Sequence, residues 1–173
     1  LSLTKETLSE AITNDCDLII THHPLIFDKL SKIDDTTIVQ SIKHNICVYS
    51  AHTNLDKTYG STTDALAGVL GFKNLITVDE CVKIAHLKDE IDLMELLQTV
   101  KMSVGSERVK VINPSNIETV RNVAICAGAG GSYIKKLNEY DIDLYITGDI
   151  KFHAALEVRG FAVADIGHFE SEL

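Results

Sequence analysis

The residues best suited to chemistry in this chain are two adjacent histidines at the end of a short apolar run. The segment reads Asp17-Leu18-Ile19-Ile20-Thr21-His22-His23-Pro24. Leu18 to Thr21 is too short a run for a helix and reads as a buried strand. Pro24 cannot continue a ladder and keeps His23 extended. Neutral imidazole offers a nitrogen lone pair at working pH, so the pair is a candidate metal site. The plainer alternative is a pair of histidines hydrogen-bonded at a strand end. Neighbouring side chains on extended backbone point to opposite faces. A single ion would therefore suit the pair poorly, whereas two neighbouring ions could take one histidine each.

Two further segments carry the same residue types just after apolar runs, His52-Thr53-Asn54-Leu55-Asp56 and Gly167-His168-Phe169-Glu170-Ser171-Glu172. The crevice beyond the carboxyl ends of strands is where open α/β sheets bind ligands. His52/Asp56 and His168/Glu172 are both spaced i, i+4, which on a helical turn places both groups on one face. The donors are nitrogen and carboxylate oxygen without thiolate, which selects Zn, Fe, Mn, Co or Ni. His52 reads more readily as a partner that orients Asp56 than as a ligand. The turn Gly128-Ala129-Gly130-Gly131-Ser132 could offer backbone N–H groups to an anion. It lacks the spacing of a phosphate loop or dinucleotide fingerprint, and packing is the better reading. Asp149 is expected to cap a helix over Phe152 to Val158, and His153 to be packed or to support a ligand. No Gly-x-Ser-x-Gly nucleophile motif is present.

The elements that must position these groups alternate between β and α. Thr4 is an N-cap for a helix carrying Leu8, Ala11 and Ile12. Helices are likewise expected after Thr36, after Gly60-Ser61, and after Asp92, where Glu95 completes a capping box. Ile46 to Ser50, 82–87, Val123 to Cys126, Asp143 to Thr147 and Phe161 to Ile166 read as strands. The rhythm predicts an α/β protein of two similar βα lobes, 1–80 and 81–173, with mainly parallel buried strands. The ligands then lie at the strands' C-terminal ends.

Composition is that of an ordinary globular protein, with 45% hydrophobic and 24% charged residues. A net charge of −9 disfavours a nucleic-acid footprint, which needs a basic face. No run approaches the ~20 apolar residues of a membrane span, and the cytoplasm is the expected location. Cys16, Cys47, Cys81 and Cys126 are dispersed and are expected to be reduced core residues. Residue 1 is Leu, and the chain stops where a helix should be starting, so a piece of a longer protein is expected.

The His-His-Pro segment, His52-Thr53-Asn54-Leu55-Asp56, Thr147-Gly148-Asp149 and the Gly-His-x-x-x-Glu segment together resemble the NIF-three-like family (Ngg-interacting factor three), whose members are widely described as GTP cyclohydrolase I type 2 homologues. The resemblance spans almost the whole chain. It implies a dinuclear centre in which His22 and His168 hold one ion, His23 and Asp56 the other, and Glu172 touches both. It further implies a ring-shaped homohexamer. Two ions so held would activate a water to attack a nucleotide, as in a GTP cyclohydrolase-type hydrolase. A phosphoesterase would use the same groups. A metal-storage, metal-delivery or partner-interaction ring without turnover is the alternative from another class.

Overall fold

The computed structural model describes residues 1–172, and the chain divides into two compact units, Leu1–Leu55 and Asp56 onward. The boundary expected at residue 80 falls instead within the second unit. There the strands on either side of it pair as a hairpin, Ile76–Thr77 with Lys83–Asp92.

In the first unit, α1 (Lys5–Thr13) starts at Thr4, whose hydroxyl accepts from the Thr7 N–H at 3.2 Å. This satisfies one of the N–H groups a helix start leaves open. Strand β1 (Leu18–Thr21) runs parallel to β2 (Cys47–Ser50), in register from Leu18↔Cys47 to Thr21↔Ser50. Between them lies α2 (Thr36–Lys43), capped by the Asp35 carboxylate. Leu8, Ala11 and Ile46 form a small core against which Leu3, Ile12 and Ile19 pack. The strands are not the buried pair the apolar runs suggest. Leu18 is 52% and Ile20 67% exposed, and Cys47 and Tyr49 lie exposed beside them. Period-two alternation sends Ile19 inward and its two neighbours outward. Helix α3 (Thr53–Asp56) follows β2.

The second unit is built on one six-stranded sheet. In chain order it contains α4 (Thr62–Val69), β3 (Ile76–Thr77), β4 (Lys83–Asp92), α5 (Leu93–Ser103), β5 (Lys110–Ile112) and β6 (Thr119–Ala129). A 3-10 turn over Gly130–Tyr133 leads into α6 (Ile134–Leu137), β7 (Leu144–Gly148), α7 (Phe152–Ala155), β8 (Ala162–Asp165) and α8 (His168–Glu172). The strand order is β3-β4-β6-β7-β8-β5. The expected parallel pairing holds across β6, β7 and β8, while β3, β4 and β5 add antiparallel edges.

Alternation along the buried strands feeds two cores, one on each face. Leu144 and Ile146 join Leu66, Leu93, Leu97 and Val100 from α4 and α5 on one face. Tyr145 and Val163 join Ile134, Leu137 and Phe161 on the other. The chain therefore has the α/β fold expected of it. The difference lies in lengths: β4 and β6 outrun 82–87 and 123–126, and α7 ends at Ala155 rather than Val158.

Helix α4 is fixed to β4 by charge. Ser61 caps the helix, and the Asp64 carboxylate accepts from the Gly60 and Ser61 N–H groups at 2.9 and 3.0 Å. It also pairs with the Lys83 ammonium, whose side chain is only 7% exposed. Burial alone would raise the Asp64 pKa, but the Lys83 ammonium and the Ser61 N–H hold it below the usual carboxylate range. Asp64→Ala should therefore cost about 3–5 kcal/mol, because it strands a buried ammonium. Lys83→Met should cost less, since Asp64 keeps its backbone donors. Because the carboxyl titrates lower folded than unfolded, its stabilisation is complete above the ordinary Asp range. It is lost as pH falls through the folded value. Denaturant midpoints of the wild type and Asp64→Ala, measured from neutral pH downward, should converge in acid.

Candidate metal-binding residues

In the first unit, the chain leaves β1 at Thr21, and the hydroxyl of Thr21 donates to the His23 carbonyl at 2.8 Å. His22 and His23 therefore lie beyond the strand, where alternation no longer applies. Their rings do not diverge as extended backbone predicts, and their centroids lie 5.1 Å apart. The His52 ring is 5.2 Å from that of His22 and 5.7 Å from that of His23. One ligand atom from each of the three lies within 4.8 Å of the others, all in half-buried positions. His52, expected to orient Asp56, has its ring beside the other two imidazoles. It precedes α3 rather than lying on it, which places its ring with the other imidazoles.

The His22 Nδ1 atom lies 2.7 Å from the Ala51 carbonyl oxygen. A carbonyl only accepts, so Nδ1 carries the proton and Nε2 keeps its lone pair. His23 Nδ1 is 2.9 Å from the Ser2 hydroxyl.

In the second unit, Asp56 accepts from the Thr62 hydroxyl at 2.6 Å. His168 opens α8, and its Nδ1 lies 2.9 Å from Asp149 Oδ2, while its Nε2 lies 3.2 Å from Glu172 Oε2. The i, i+4 spacing of His168 and Glu172 brings the two groups together as expected. Glu172 has a side chain only 5% exposed. Helix α8 is pinned to the sheet through Ser171, whose hydroxyl accepts from Gly128 N at 2.8 Å and donates to the His168 carbonyl at 2.7 Å.

Asp149 is not the helix cap the sequence suggests. The residue before α7 is Lys151, and it makes no side-chain cap. The Asp149 carboxylate is used on the His168 imidazole instead, an arrangement that fixes tautomer and ring orientation in metal-binding histidines. Strand spacing gave no hint of this partner, because the two residues are 19 apart. His153 is neither packed nor supporting. It is exposed beside Phe152. Two amides of the glycine-rich turn are committed, Gly128 N to Ser171 and Gly130 N to the Thr147 hydroxyl at 3.0 Å. That supports packing over anion binding.

The donors fit a divalent ion of the borderline class. Imidazole nitrogens with fixed Nδ1–H groups and carboxylate oxygens suit Zn, Fe, Mn, Co or Ni. Thiols lie outside this chemistry. All four cysteines are free, and burial pushes the Cys126 thiol up to about 12. Cys16 and Cys47 are exposed rather than in a core, while Cys81 and Cys126 are buried.

An α/β fold with His and carboxylate donors beyond strand ends defines a class of candidate metal-binding α/β proteins. The family described as Duf34/NIF3 (NGG1p interacting factor 3) matches residues 1–173, and the chain belongs to it. A Clostridium perfringens protein named GTP cyclohydrolase 1 type 2 homolog is 34% identical, over 99% of this chain and 71% of its own length. The Schizosaccharomyces pombe protein NIF3 homolog is 31% identical, over 99% of this chain and 69% of its own. A Bacillus cereus protein related to NIF3 shares the fold at a TM-score of 0.87 and 22% identity, covering 99% of this chain and 77% of that one.

Thiol titration of denatured, non-reduced protein should count all four cysteines. In the native protein only Cys16 and Cys47 should react promptly. Prompt native reaction of Cys81 or Cys126 would contradict their burial.

Proposed function

We propose that this chain binds two divalent metal ions through His22 and His23 of the first unit and Asp56, His168 and Glu172 of the second. The observation that carries this reading is the Nδ1 hydrogen bonding of two histidines. His22 Nδ1–H is spent on the Ala51 carbonyl and His168 Nδ1 on Asp149, so each presents Nε2 as the donor atom. For His168, that nitrogen faces the Glu172 carboxylate at 3.2 Å. A cation shared by these two atoms is the arrangement we propose for that distance. His52 supports the reading as a third imidazole within reach of the first two.

The activity we propose is hydrolysis of a nucleotide, of the kind the name GTP cyclohydrolase 1 type 2 homolog describes for relatives of this chain. Divalent ions held by these donors would lower the pKa of a bound water towards neutrality and polarise the atom under attack. The residues of the chain orient that chemistry. Asp149 holds the His168 ring, Ala51 holds that of His22, and Thr62 turns the Asp56 carboxylate. With a net charge of −9, the chain repels phosphates unless cations offset its acidity. A metal-dependent phosphoesterase would use the same groups. A metal-binding or partner-interaction ring without turnover is the second reading, favoured by the name NGG1-interacting factor 3 of a Saccharomyces cerevisiae relative. We place the protein in the cytoplasm as a homohexamer. Among the described residues no helix is long and apolar enough to cross a membrane.

Formate release from GTP, or phosphate release from model esters, that requires added divalent metal separates hydrolase from binding protein. Metal analysis should find two ions per chain, and Glu172→Ala should lower that content more than His22→Ala. Asp149→Asn, which tolerates the positive φ at that position, should weaken metal affinity about 10- to 100-fold with little loss of stability. Unchanged affinity would remove the role given to Asp149.

A further inference from the structure

We propose that Gly128 is a positioning residue for the donor pair His168 and Glu172, an inference that rests on the metal-binding reading above. Gly128 lies one residue before the end of β6, at a φ of +70°. A Cβ at that position would stand 2.4 Å from Glu172 Oε1, 3.5 Å from its Cδ and 3.5 Å from His168 Nε2. The volume that a side chain would fill is thus occupied by the Glu172 carboxylate. One oxygen lies against Gly128, and the other lies 3.2 Å from His168 Nε2.

The consequence of a methyl group there is specific. The atom it meets is the far end of a flexible side chain, so the carboxylate moves rather than the sheet. The backbone pins are unaffected, because Gly128 N still donates to Ser171 Oγ and the Thr147 hydroxyl still donates to Gly128 O at 3.2 Å. Alanine at 128 should therefore keep α8 on the sheet while moving Glu172 away from His168. It also carries the strain of positive φ, which a control must isolate. Gly160 provides that control, with a φ of +78° and nothing within 4 Å of an added Cβ.

The test compares wild type, Gly128→Ala and Gly160→Ala, reading Zn2+ affinity by competition with a chromophoric chelator alongside thermal unfolding. Both variants should lose similar thermal stability. Gly160→Ala should bind Zn2+ as wild type does, while Gly128→Ala should bind about 10- to 100-fold more weakly, in the range of changes around metal ligands. Equal affinities for Gly128→Ala and Gly160→Ala would overturn the inference and leave the metal reading standing. A wild type that takes up no Zn2+, Mn2+ or Fe2+ would overturn the metal reading itself, and this inference with it.

Discussion

The second unit depends on the complete burial of its parallel strands. Every residue of Leu144–Gly148 and of Ala162–Asp165 is buried. An ionisable group inside such strands must find a full set of partners or cost several kcal/mol. Asp165 is the one charged residue there, and it is paired with Lys110 while accepting from the N–H groups of Ile150 and Gly167. The other charged groups are placed past the strand ends, where Asp149 follows β7 and His168 follows β8. The two exits lie close together because Gly148 has no side chain. A Cβ there would stand 2.8 Å from the Gly167 backbone. That approach lets the Asp149 carboxylate reach the His168 ring across adjacent strands.

Much of this was legible in the sequence because burial leaves a plain signature. Runs such as Leu144 to Ile146 and Phe161 to Ala164 carry no charge, as a doubly covered strand requires. The residues after them are then the first that can carry charge, so His168 and Glu172 stood out by position. Their i, i+4 spacing also predicted their meeting. What the sequence withheld was partnership across chain distance. Asp149 and His168 share no local pattern, and a carboxylate before a short helix reads as a cap. The close fit of Gly128 against Glu172 is equally silent, since a glycine after an apolar run reads as a turn.

In the first unit the apolar signature misled for a definite reason. Leu18, Ile19 and Ile20 read as a run buried on both faces, yet only Ile19 packs against the small core of α1 and Ile46. A short apolar run contains too few residues for alternation to reveal a single covered face. Cys16 and Cys47 were placed in a core on the same grounds and are exposed with the strands that carry or adjoin them. The two histidines escaped the alternation rule for a related reason. The ladder ends at Thr21, and beyond it the backbone is free to bring both rings to one side.

Backbone strain distinguishes Asp149 from similar residues. Among the described residues five non-glycines have positive φ, namely Asp15, Asn45, Asn74, Asn116 and Asp149. Asp15 and Asn45 directly follow the C-caps of α1 and α2, where a left-handed residue is the ordinary way to end a helix. Asn116 falls in the turn where the Asn113 side chain brackets Ile117 from both sides. In such turns Asn is tolerated because its short amide offsets the strain locally. Asp149 follows a strand, and its side chain is spent on His168 rather than on its own turn. A strained conformation held without local compensation is maintained by what surrounds it. Here that surrounding is the Gly148–Gly167 approach on one side and the imidazole on the other. The strain is therefore stored at the point where the His168 ring is oriented, as expected if the position of that ring matters to the protein.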